Sequence, residues 1–221
     1  MSGDRPTPAG RDRGQVYTLQ GLVGAIIVLT AVFFALQTII ITPTTGGSVD
    51  PAVREQLRTQ ADDILTVAAA NESFGLSELA RYWDQSSRTF EGAVNPRVGY
   101  GDRRPPNQFG RMLQDTFGSR SRLYNVELRY LGGPNATGPA AGPGTVPVVF
   151  RGSPSSNAVV ATHTVTLYDN QTLTAEESIT GGVELWQFDT NATDGDDGYY
   201  PVPNAVEGPV YNVLEVRLIV W

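Results

Sequence analysis

From Gly14 to Val49 the chain carries no ionisable side chain except Tyr17. Within that span Leu22 to Leu36 is apolar apart from Gly24 and Thr30, and Ile39, Ile40 and Ile41 continue the run. As one helix, residues 16 to 41 cover about 39 Å at ~1.5 Å per residue, against a hydrocarbon layer of ~30 Å. A soluble core helix is rarely apolar on every side over such a length. The sequence therefore predicts a transmembrane helix at residues 15–41. A leader precedes it at 1–14, a linker follows at 42–50, and a separate folded domain occupies 51–221.

Arg11 and Arg13 lie directly before the apolar run, whereas the first charges after it are Asp50 and Arg54. Basic residues stay on the cytoplasmic side of a membrane helix. The expected topology is a single pass through the cell membrane, N-terminus cytoplasmic and C-terminal domain extracellular. Four glycosylation sequons, at Asn71, Asn135, Asn170 and Asn191, all follow the apolar run and agree with that orientation.

The chain has 23 Asp plus Glu against 16 basic residues, all of them Arg, and no Lys. Setting aside Asp4, Asp12, Arg5, Arg11 and Arg13 leaves 21 acids and 13 Arg, a net charge of −8 on the rest. An acidic surface repels nucleic acid, so a nucleic-acid partner is excluded. The absence of Cys excludes a disulfide framework, a thiolate metal site and a thiol nucleophile.

The residues entering the apolar run read Arg11-Asp-Arg-Gly14-Gln15-Val-Tyr-Thr-Leu19-Gln20. No small-residue cleavage site follows the run, as an ordinary secretory signal requires. The stretch instead resembles the class III signal peptide of archaeal type IV pilins and archaellins. Excess carboxylate without Lys likewise resembles the proteins of salt-loving archaea. The pilin resemblance covers about residues 11 to 41. It implies a cut between Gly14 and Gln15 by a prepilin peptidase-like protease, with the helix retained on the mature chain. It further implies other pilin-like subunits as partners, with Gln15, Leu19 and Gln20 at the helix-docking end. Many type IV pilins place a Glu five residues into the mature chain; here that residue is Leu19, and the next is Gln20. Gln can hydrogen-bond a neighbouring subunit's new amine without neutralising it, which favours a minor or pilin-like component.

Beyond the linker, Asp50 and Pro51 suit the cap and first position of a helix. Val53, Leu57, Ala61, Ile64 and Ala68 then form one stripe. Short helices are predicted from Ser77 to about Gln85 and after Asn107, the latter stopped by Gly118. The period then changes to two. Strands are predicted at 124–130, at 145–150 (an edge, because of Pro147), at 159–168, at 183–188 and at 211–221. Helices first and strands afterwards give α+β, with short helices and an antiparallel β-sheet head domain behind the long N-terminal helix. A pilin head shares that layout.

Chemistry is sparse. The lone His163 shares a strand face with Val159, Ala161, Val165 and Leu167, a structural setting. No G-x-S-x-G elbow is present. Asp194, Asp196 and Asp197 crowd beside glycines as a weak Ca²⁺ candidate, without the EF-hand spacing. Glu176-Glu177 and Asp62-Asp63 are adjacent pairs that diverge on a strand or helix. Tyr199-Tyr200-Pro-Val-Pro reads either as an exposed contact patch or as a cover for the sheet edge. The sequence thus predicts no enzyme, no cofactor and no catalytic residue. It predicts a pilin-like subunit or minor component of a surface filament. The alternative is a membrane-anchored extracytoplasmic binding or interaction domain outside any filament.

Overall fold

A computed structural model describes residues 11–37, 50–70, 75–133, 142–176, 182–188, 198–206 and 208–221. The chain forms two compact units, Met1–Gly47 and Ser48–Trp221. Among its described residues the first contains one helix, α1 (Arg11–Gln37).

The expectation of a transmembrane helix at 15–41 is corrected here. Among the described residues no helix is long and apolar enough to cross a membrane. Within α1 the polar Gln15, Thr18, Gln20 and Thr30 interrupt the apolar run. The helix also starts at Arg11 rather than Gln15, so its first turn is polar, and residues 38–41 and most of the 42–50 linker lie outside the described residues.

The second unit is α+β, as its sequence predicts. Helix α2 (Pro51–Ala69) begins where Asp50 accepts a hydrogen bond from the Ala52 amide at 2.9 Å, with Pro51 in the first turn. Its buried stripe is Leu57, Ala61, Ile64, Leu65 and Ala68. Helix α3 (Leu76–Arg81) is capped at Gly75, two residues before the expected Ser77, because the Glu78 carboxylate accepts from the Gly75 amide. It stops short of Gln85 because β1 (Trp83–Asp84) pairs with β2 (Thr89–Phe90) in a small hairpin. Helix α4 (Gln108–Thr116) is capped by Asn107, whose side-chain Oδ1 accepts from the Gly110 amide at 2.9 Å.

Four strands follow: β3 (Tyr124–Tyr130), β4 (Gly144–Val149), β5 (Val159–Tyr168) and β6 (Val210–Val220). They form one antiparallel sheet in the order β4-β3-β6-β5. Pro147 sits on an edge strand, where a missing N–H breaks no ladder. The inner face carries Val126, Leu128, Val148, Ala161, Leu167, Leu214, Val216 and Leu218, all buried, and α2 packs against β5 and β6. On the outer face Glu127 lies directly opposite Arg217, and Arg129 opposite Glu215, with ion pairs of 3.9 and 3.5 Å. The sequence expectation of a strand at 183–188 fails. A 3-10 turn, Leu185–Gln187, stands there because the Gln187 side chain accepts from the Glu184 amide and curls the segment locally.

Candidate functional site: the N-terminal helix

Helix α1 bears the feature that most needs a function. Tyr17, Leu19, Ile27, Val28, Leu29 and Val32 project at angles that go round the whole circumference at ~100° per residue. The large apolar side chains described in α1 are exposed, from 49% at Val23 to 74% at Leu29. An amphipathic helix would reserve one face for water; this one has no such face. Of its polar interruptions, Thr30 satisfies itself by donating to the Ile26 carbonyl at 2.7 Å. A Cβ built at Gly21 or Gly24 meets nothing within 4 Å.

Gly14 and Gln15 lie in α1, and their side chains lie outside the described residues. A protease that reads extended backbone at Gly14 must therefore melt the first turn. That turn is the weakest part of any helix, since its leading amides have no intrahelical acceptor. Leu19 and Gln20 are both exposed.

The remaining predicted sites divide between the described body and the rest. Asn170 is exposed in the turn after β5, whereas Asn71, Asn135 and Asn191 lie outside the described residues. So do Asp194, Asp196 and Asp197, and among the described residues no group of three or more His, Asp or Glu is gathered to hold a metal. His163 stands half-buried on the inner face of β5, opposite Val216, as its strand pattern predicts. Asp62 makes an exposed ion pair with Arg58 at 3.9 Å. The exposed-patch reading of Tyr199-Tyr200 is corrected. Tyr200 is buried, donating its hydroxyl to the Ala80 carbonyl at 2.9 Å, and Tyr199 sits edge-on to Trp83 at 6.0 Å. Aromatic residues flanking a proline find more stabilisation inside the core than at the surface.

Burial pushes the Tyr100, Tyr200 and Tyr211 phenols well above their ordinary value. Each hydroxyl donates to a backbone carbonyl, at Glu91, Ala80 and Val202 respectively, so the three are structural groups rather than acids poised for chemistry.

Residues 13–220 match a protein family described as a family of unknown function (DUF7288). The chain belongs to the DUF7288 family. The match begins before Gly14 and ends inside β6, so DUF7288 takes in the Gly14-Gln15 step, α1 and the α+β body together. No curated protein and no solved structure matches the chain.

Sequence reasoning missed the Tyr100 and Arg151 contacts that close the body at the β4 edge. The only hint was Gly99 and Gly101 in a loop otherwise without pattern.

Proposed function

We propose that this DUF7288 chain is a pilin-like subunit, a minor component of a surface filament, that uses α1 to pack among the helices of neighbouring subunits. The observation that carries the reading is the apolar surface of α1, exposed on every side directly after the Arg13-Gly14-Gln15 step. Such a surface must be covered by an apolar phase: lipid before assembly, like helices after it. The α+β body, a helix laid on a four-stranded antiparallel sheet, supports the same reading at the level of fold class alone. The charge asymmetry around α1 supports a body outside the cytoplasm, and a prepilin peptidase-like protease is the processing partner that the reading implies.

Leu19 and Gln20 favour a second reading. Neither can neutralise the amine of a neighbour, so the chain also fits a membrane-associated extracytoplasmic interaction domain that never enters a filament.

Mass spectrometry of the membrane-extracted protein tests the first reading. A mature terminus at Gln15, abolished by Gly14→Val, is expected. A chain that retains Met1 or Ser2 in cells overturns it. If Gln15 is the terminus, immunogold labelling separates the readings, because only the filament reading places the protein along fibres.

A further inference from the structure

The two edges of the sheet are treated differently. The β4 edge is closed. The Tyr100 amide donates to the Val148 carbonyl at 2.8 Å, the Phe150 amide to the Val98 carbonyl at 3.0 Å, and Gly99 bridges Val149. Pro147 lies in the same strand. At the other edge β5 has ten residues, Val159 to Tyr168, without Pro, Asp, Glu, Lys or Arg, and regular pairing to β6 up to the shift between Leu167 and Tyr168. Among the described residues no backbone hydrogen bond joins Val159–Leu167 to any partner but β6. A long, uncharged, unprotected edge is a template for another strand. On a body of net charge −8 it is also a strand that itself presents no carboxylate to a second acidic body.

We infer that β5 pairs with β5 of a second copy of this chain, antiparallel, about a two-fold axis at His163. The register follows from the pleat. An odd slip would set inner-face residues against outer-face ones. Of the even registers, only the one centred on His163 pairs the whole inner face. It sets Val159 against the other copy's Leu167, Ala161 against its Val165, and His163 against itself. On the outer face Thr162 then meets Thr164, a favourable cross-strand pair. The same register brings Tyr168, 45% exposed, level with Ala158 of the other copy. The contact is isologous and closes on itself, so it is independent of α1 and of the filament reading.

The chain has no cysteine, so cross-linking has a clean background. The full chain, extracted in mild detergent, is oxidised as His163→Cys, with Thr145→Cys and Asn170→Cys as exposed controls. Directly opposed residues have Cβ atoms about 4.5–5.5 Å apart, near disulfide reach. His163→Cys is expected to give a covalent dimer in at least about fivefold higher yield than either control. Thr162→Cys is expected to link to Thr164→Cys in a mixture in preference to itself. Adding Thr162→Lys and Thr164→Lys to His163→Cys sets like charges opposite one another, and is expected to lower the yield in a salt-reversible way. Circular dichroism of each variant confirms that the sheet is intact. Yield from folded His163→Cys no greater than from the controls overturns the pairing. Linkage to a different polypeptide, or equal self-linkage of Thr162→Cys, overturns the occupant or the register.

Discussion

The guanidinium of Arg151 lies over the ring of Tyr124, 3.9 Å from the centroid, while its Nη2 also donates to the Tyr124 hydroxyl at 2.9 Å. The same side chain reaches the Gly101 carbonyl through Nε at 3.2 Å and the Asp102 carbonyl through Nη2 at 3.3 Å. Its backbone amide donates to Asn125, whose own amide donates to the Gly152 carbonyl. One residue thus ties the 97–104 loop to β3, and that loop closes the β4 edge. A planar, multiply donating cation suits this role and a point-charge ammonium does not. Arg151→Lys is expected to destabilise the body by about 1–2 kcal/mol, and Arg151→Ala by more, read as a drop in the urea midpoint at unchanged slope.

Gly99 adopts φ +56°, and a Cβ there would stand 2.0 Å from the Val148 carbonyl oxygen. The loop reaches the strand only because this position has no side chain. Gly99→Ala is expected to cost about 2–4 kcal/mol, since both strain and loss of the Tyr100–Val148 hydrogen bond follow. Freeing the β4 edge adds a second readout: aggregation on warming, absent from the parent chain. Gly92→Ala, with positive φ but open space around it, is expected to cost less.

Asp84 is buried in the β1–β2 turn. Its carboxylate accepts from the Ser86 amide and hydroxyl, both at 2.8 Å, and from the Ser87 amide at 3.1 Å. Burial alone would raise its pKa, but these hydrogen bonds outweigh it and hold the carboxyl below its ordinary value. A folded-state pKa below the unfolded one stabilises the body above the unfolded pKa, and that stability is lost as pH falls through the folded one. Asp84→Asn is therefore expected to be destabilising at neutral pH by about 1–2 kcal/mol. The difference from the parent should shrink below pH ~4, checked by thermal melts across that range.

Much of the body was legible because its elements are locally consistent. Asp50-Pro51 and the Leu57-Ala61-Ile64-Ala68 spacing fix α2. Strict alternation fixes β3, β5 and β6, and Pro147 puts β4 at an edge. The misses are positions where a single side chain redirects the backbone. Glu78 starts α3 early, Asp84 turns a hairpin out of a presumed helix end, and Gln187 curls a presumed strand. Tyr199-Tyr200 stayed open between two readings for another reason: a stretch beside prolines and acidic residues suits a surface as well as a cover, and only the tertiary fold supplies Ala80 as the partner of Tyr200. At α1 the apolar run itself was plain, but a count of apolar residues passed over the polar Gln15, Thr18, Gln20 and Thr30 within it.

The last expectation concerns the independence of the body. Its buried core runs from Leu57 to Val220 and includes no described residue of α1. Polar groups that seal it come from within the body as well. Asn212, fully buried, donates to the Pro203 carbonyl at 2.7 Å and the Leu131 carbonyl at 3.0 Å, and accepts from the Leu131 amide. A chain shortened to Ser48–Trp221 is therefore expected to fold without detergent and to keep the melting temperature of the full chain's body within about 2 °C. Asn212→Leu in that shortened chain strands two carbonyls and an amide, and is expected to cost about 2–4 kcal/mol. The full chain, by contrast, is expected to associate in water through the exposed apolar surface of α1 and to disperse in mild detergent. Sedimentation of both forms with and without detergent reads the difference. A shortened chain that fails to fold would show that α1 is part of the core rather than a surface held for other helices.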